Sequence, residues 1–131
     1  MIKRLLSICI LLSGFSFSAI AQQSSVAKVT AADFDAMVLK SKTPVVVHFD
    51  AGWCGPCRMI APALNDIAGD MGARVRILEL NVDDSPDLAK KYGIMSIPVL
   101  IIFKNGAVSS KQVGAAPKAK LEQWISANAG S

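Results

Sequence analysis

Two cysteines three positions apart, Cys54 and Cys57 within Trp53-Cys54-Gly55-Pro56-Cys57, can open and close a disulfide. Residues i and i+3 of a helical turn lie about 5–6 Å apart at Cβ, and a disulfide spans Cα atoms about 4.4–6.8 Å apart. The pair can bond with little backbone movement, so dithiol redox exchange is the chemistry to expect. If Cys54 opens a helix, its sulfur faces unpartnered amide N–H groups and the positive end of the helix dipole, both of which favour the thiolate. Cys54 is then the nucleophile. Cys57, one turn in, more covered and less ionised, suits the resolving thiol that attacks the mixed disulfide and releases product. Gly55 and Pro56 hold the turn between them, proline being tolerated in a first helical turn where its missing N–H would have had no partner.

The rest of the chain narrows the alternatives. Lys3 and Arg4, the mostly apolar run from Leu5 to Phe17 and Ala19-Ile20-Ala21 form a secretory signal pattern over residues 1–21. The apolar run is shorter than the roughly 20 residues a spanning helix needs, so no stable membrane insertion is expected. Cys9 lies inside this run, where neither a lipid anchor nor a redox role is expected. Residues 22–131 then form a single domain with its own core. Of 14 basic residues two fall in the signal, leaving a net charge of +2 against 10 acidic residues. That weak, scattered charge gives no reason to expect a nucleic-acid partner. Only Cys54 and Cys57 remain after cleavage, closing a ring too small to organise a fold, and with His48 as the sole histidine they fall short of the four ligands of structural zinc. Neither metal nor organic cofactor is expected.

Positioning elements can be read from pattern. Thr30 as N-cap and Asp33 in the first turn predict a helix to about Lys40, with Phe34, Met37 and Val38 as its apolar stripe. Val45 to Phe49 is a buried strand. A helix runs from Cys54 to about Met71, with Pro62 expected to kink it and separate a redox turn from a packing segment. Val75 to Val82 is a strand and Pro86 to Tyr92 a short helix ended by Gly93; alternation of strand and helix implies parallel pairing. Pro98 to Phe103 and Ala107 to Val113 flank Asn105-Gly106, a hairpin signal. Pro117 to about Ala129 is an amphipathic helix carrying Leu121, Trp124 and Ile125, with Trp124 read as a packing aromatic.

These residues together resemble the thioredoxin family. The matching segments are Trp53-Cys54-Gly55-Pro56-Cys57, Met59-Ile60-Ala61-Pro62, Tyr92-Gly93-Ile94, Ile97-Pro98, Phe103-Lys104-Asn105-Gly106 and Val113-Gly114, in order over about ninety residues. The resemblance implies an α/β thioredoxin fold, with a central mixed sheet of about five strands flanked by about four helices. It also implies a cis Pro98 facing the disulfide and an Ile97 backbone that binds extended clients. Trp53, Gly55, Pro56, Ile97, Pro98, Gly114 and Ala115 would then form the substrate-binding rim.

Two positions depart from the family pattern. Six residues before the first cysteine the family carries a buried aspartate credited with proton transfer; here it is His48. The usual lysine on the adjacent strand aligns with Glu79, so acid and base exchange strands. We expect neutral His48 to take the proton from Cys57, with Glu79 as its partner; a histidine that only fills the strand and bonds Glu79 is the other reading. Asp50 stands where many members carry tryptophan, and reads as a solvated loop carboxylate or as a group able to orient His48. The expected function is protein-disulfide reduction on exported proteins by an exported monomer, in the periplasm or, as the alternative, secreted, fed by a membrane thiol-electron donor. A disulfide oxidase or isomerase and a non-catalytic binding module are the competing readings.

Overall fold

The computed structural model describes residues 25–129. The signal pattern of residues 1–21, with Cys9, and the polar residues 22–24 lie outside the described residues. Five strands form one mixed sheet: β1 (Ala27–Lys28), β2 (Val45–Asp50), β3 (Arg76–Asn81), β4 (Val99–Lys104) and β5 (Ala107–Val113), in the order β1-β3-β2-β4-β5. β1 and β2 both run parallel to β3, whereas β2–β4 and β4–β5 are antiparallel. Three α-helices accompany it: α1 (Gly55–Met71), α2 (Pro86–Lys91) and α3 (Lys118–Ala129).

β2 is apolar at successive positions because both of its faces are covered. Val45, Val47 and Phe49 pack with Leu78, Leu80, Ile101 and Phe103 on one side. Val46 packs on the other with Ile60, Leu64 and Ile67 of α1 and Leu121 and Ile125 of α3. Strand alternation therefore sends His48 and Asp50 toward the α1 side, and Glu79, two residues beyond Ile77 of that cluster, toward the same side. Trp124 packs against this core and donates its indole N–H to Ser110 Oγ at 3.0 Å.

The expected first helix is replaced by a turn and a π-helical segment, Asp35–Leu39. Thr30 does not cap it by accepting an amide. Instead, its own N–H and hydroxyl both donate to Asp33 Oδ1, at 2.6 and 2.8 Å. These bonds hold residues 30–33 in a turn ahead of the helical segment, which keeps the expected apolar stripe, with Phe34 and Val38 buried. With α1, α2 and α3 this segment makes the four flanking helical elements expected, the first of them π-helical, and a short 3-10 turn, Gly72–Arg74, follows α1. α1 continues through Pro62 as one element, with the ring on its exposed side. Asn105 (φ 52°) and Gly106 (φ 78°) turn the β4–β5 hairpin. A Cβ on Gly106 would stand 2.8 Å from the Leu39 carbonyl oxygen, so glycine is required there for space as well as for φ.

Candidate active site

Cys54 occupies the N-cap of α1 in extended backbone conformation, directly after the loop that leaves β2. It is disulfide-bonded to Cys57 with Cα atoms 5.3 Å apart, inside the range the spacing implied. The Cys57 amide donates to Cys54 Sγ at 3.2 Å, so one of the unpartnered donors of the first turn is aimed at the nucleophilic sulfur. The expected difference in cover is not seen: Cys54 is 3% and Cys57 2% exposed in the disulfide form. What distinguishes the two sulfurs is the hydrogen bond, because only Cys54 sits where α1 offers its amides. Gly55 and Pro56 complete the first turn.

The rim is formed by segments distant in sequence. The Ile97–Pro98 peptide is cis, and the Pro98 carbonyl accepts the Gly114 N–H at 2.8 Å, which joins two of the expected binding segments. Ile97 and Val82 pack against Ala51, Cys54 and Cys57. Trp53 is 68% exposed, yet its ring is anchored, since Nε1 donates to Asp83 Oδ2 at 2.9 Å. A cavity of about 590 Å³ opens beside the disulfide, lined by Trp53, Val82, Ala89, Ile94, Met95 and Ile97 among others. A second hollow of about 380 Å³ lies on the side of Met59, Ala63 and Ala115. Among the described residues no group of three or more potential ligands is placed to hold a metal ion.

The pattern of the whole fold, with a disulfide at an α1 N-terminus opposite a cis-proline loop, is matched in sequence by the family model described as thioredoxin over residues 25–127. The chain belongs to the thioredoxin family. It is 45% identical over 101 residues to the thioredoxin of Rhodospirillum rubrum, covering 77% of this chain and 97% of that one. The Haemophilus influenzae thioredoxin is 43% identical over 102 residues, 78% of this chain and 95% of the relative. A chloroplastic M-type thioredoxin of Pisum sativum is 45% identical over 97 residues, 74% of this chain and 56% of the plant protein. Thioredoxins are disulfide oxidoreductases, and Cys54–Cys57 is the redox pair of this one.

Sequence reasoning missed Asp83, Met95 and the turn that holds Asp83. Asn81 Oδ1 accepts the amides of Asp83 (2.8 Å) and Asp84 (3.2 Å), an Asx-type turn that delivers Asp83 to Trp53. Met95 is 97% exposed next to the cis-proline loop, and an apolar residue ahead of Ser96-Ile97-Pro98 was the available signal. Asp83→Ala is expected to free the Trp53 ring without touching the sulfurs. In an insulin-disulfide reduction assay KM should rise about two- to tenfold, the equivalent of one lost hydrogen bond, with kcat moving less.

Four titratable groups lie on the strands that lead to the redox loop: Lys28 on β1, His48 and Asp50 on β2, and Glu79 on β3. His48 and Glu79 are direct register partners on β2 and β3, as the alignment of the two positions implied, and Lys28 of β1 pairs with Glu79 from the other side. His48 is 2% exposed and its Nε2 has no hydrogen-bond partner. Burial pulls its pKa down to about 4, against the pull of the Glu79 charge, so the ring is neutral at pH 7 and holds a proton weakly. Asp50 is not a solvated loop carboxylate. It ends β2 half-buried, with Oδ1 sealed and unpartnered. Burial, a hydrogen bond with Glu79 and the Glu79 charge, partly offset by Lys28, push its pKa up to about 8.

Proposed function

We propose that this thioredoxin is exported and reduces disulfides in proteins of the periplasm. Cys54 attacks, Cys57 resolves, and electrons arrive from a thiol-electron donor in the membrane. The observation that carries the location is in residues 1–24. They precede the family match, which begins at residue 25, and they hold the basic start, the apolar run and Ala19-Ile20-Ala21 of a secretory signal. A dithiol kept outside the cytosol needs an external reductant, and a membrane carrier of thiol electrons is the source that an oxidising compartment leaves available. Trp53, Gly55, Pro56, Ile97, Pro98 and Gly114 form the client rim in this reading, with apolar surface on either side of the sulfurs to accept varied extended segments. Gly55-Pro56 between the cysteines favours a reductase over an oxidase or isomerase.

Expression of the full chain in a Gram-negative host, followed by fractionation and thiol-trapping, tests this. The mature protein, shortened at its N-terminus, is expected in the periplasmic fraction with Cys54 and Cys57 substantially reduced. Deletion of residues 2–21 should retain it in the cytosol. A full-length protein retained in the cytosol would refute export, and a periplasmic protein held fully oxidised would refute the reductase direction.

A further inference from the structure

Met95 is 97% exposed, the most exposed large apolar residue among the described residues, yet the backbone that carries it is held. The Gly93 and Ile94 amides donate to the carbonyls of Lys90 and Ala89, at 3.1 and 2.9 Å, and Lys111 Nζ donates to the Tyr92 and Gly93 carbonyls. Ile94 packs against the core, and Ile97 packs against Cys54 and Cys57. Met95 is thus presented to solvent by a fixed strip of chain between two isoleucines that face inward. Two residues span at most about 7 Å, so the Met95 Cα lies within that distance of Ile97 and the cis peptide that follows it. It lines the same cavity of about 590 Å³ as Trp53, whose ring Asp83 anchors.

We propose that Met95 is a client contact and an oxidant-sensitive modification site: a peroxide converts its thioether to the sulfoxide and so weakens client capture, leaving the Cys54–Cys57 disulfide intact. The inference rests on dithiol exchange with protein clients at Cys54 and Cys57, and not on the compartment. In the modification the Met95 sulfur attacks one oxygen of hydrogen peroxide, an S–O bond forms and the O–O bond breaks. The sulfur gives up two electrons. The departing hydroxide takes the proton left on the transferred oxygen and is released as water, so the peroxide is the oxidant and is itself reduced.

Access selects the residue. The methionines among the described residues are Met37, Met59, Met71 and Met95. Met71 is 8% exposed and Met37 packs partly buried against the core, so a water-borne oxidant does not reach either sulfur freely. Met59 is exposed but borders the other hollow, on the Ala115 side. In the disulfide form Cys54 and Cys57 offer no thiolate and are closed off from solvent, which leaves the thioethers to the oxidant. The consequence follows from where Met95 stands. A flexible, polarizable thioether fits client side chains of many shapes and makes favourable contacts with aromatic rings. Its sulfoxide is polar and chiral, and water must be stripped from it before an apolar client segment can settle in the cavity it shares with Trp53. Restoring the thioether takes a methionine sulfoxide reductase, so the modification persists while the disulfide is opened and closed.

Peroxide treatment of the disulfide form, peptide mapping by mass spectrometry, and insulin reduction after the cysteines are reduced with dithiothreitol together test the proposal. Met95 sulfoxide should form ahead of Met37 and Met71 sulfoxide. At full conversion of Met95 the KM for insulin should rise about three- to tenfold, with kcat moving less. Methionine sulfoxide reductases for both epimers should return the KM to its starting value. Met95→Leu, compared with itself before and after peroxide, should show no rise, whereas Met59→Leu should show the rise of the parent. Met95→Gln, which places a polar group at this position, should raise the KM without peroxide. A KM unchanged at full Met95 conversion, a rise that persists in Met95→Leu, a rise abolished in Met59→Leu, or a fall in kcat alone would overturn the inference. An untreated parent that reduces no insulin would overturn dithiol exchange itself, and this inference with it; an active parent whose KM ignores Met95 oxidation would overturn the inference alone.

Discussion

Cys54→Ser is expected to lower disulfide reduction by more than about a thousandfold, whereas Cys57→Ser should stop after one covalent step. The two variants differ because the sulfurs occupy different places in α1. Cys54 is the N-cap and receives the Cys57 amide on Sγ at 3.2 Å, so a thiolate formed there is held by a hydrogen bond and by the helix dipole. A serine hydroxyl at this position neither ionises near neutral pH nor forms the mixed disulfide, and the remaining thiol, Cys57, is buried and lies inside α1 rather than at its N-cap. In Cys57→Ser the nucleophile is intact. Attack on a client proceeds, the resolving sulfur is missing, and a mixed disulfide should accumulate at one client per enzyme, stable in denaturing gels and released by excess dithiothreitol. Insulin turnover and non-reducing gels of both variants give the check. Equal turnover of Cys54→Ser and parent would refute the enzymatic role, and an adduct trapped by Cys54→Ser through Cys57 would reverse the assignment.

The parts of this site that were legible in the sequence are those whose chemistry is local. The spacing of Cys54 and Cys57, the Asn105-Gly106 turn and the apolar run Val45 to Phe49 each carry their structure within a few residues. The hidden parts depend on partners far along the chain. Trp53 is anchored by Asp83 thirty residues later, and the Pro98 loop is joined to Gly114 by a backbone bond, neither of which leaves a periodic trace. β1 is only Ala27–Lys28, exposed and too short for an alternating pattern, yet it brings Lys28 beside Glu79. The first helix begins later than its Thr30 signal because Thr30 and Asp33 satisfy one another inside a turn, and it winds as a π-helix over Asp35–Leu39. Asp50 was misread because its environment is set by the β2–β3 register: a carboxyl that looks solvated at a strand end becomes half of a pair once Glu79 is placed across from His48.

Asp50→Asn should stabilise the oxidised domain at pH 8 by about 1–2 kcal/mol and do nothing at pH 4. Asp50 has its pKa raised from 3.8 to about 8 on folding, so the folded chain keeps a proton that the unfolded chain releases. The stability this contributes is fully present below about pH 3.8, declines as pH rises, and is gone above about 8. The full shift would correspond to more than about 5 kcal/mol, but the side chain is only half-buried and solvent screening reduces it to the smaller figure. His48 works in the opposite sense. Its folded pKa of about 4 lies below the ordinary 6.5, so its contribution is complete above pH 6.5 and is lost as pH falls toward 4. Between about pH 4 and 6.5 the two slopes oppose each other, and from 6.5 to 8 only the Asp50 decline remains. Asp33, whose carboxyl the Thr30 N–H and hydroxyl hold below its usual range, acts only at lower pH. Denaturant midpoints at pH 4, 6.5 and 8 should therefore show a level parent curve that falls at the alkaline end. In Asp50→Asn the histidine slope is unmasked, giving a rise from 4 to 6.5 and then a plateau; in His48→Gln the carboxyl slope is unmasked, giving a fall across the whole range. Parallel curves for parent and Asp50→Asn would mean that Asp50 ionises as an ordinary carboxylate. Crossing curves would establish that His48 and Asp50 both stay neutral in the folded chain between about pH 4 and 8, while their opposite ionisation in the unfolded chain gives stability slopes that cancel over the acid side of neutrality.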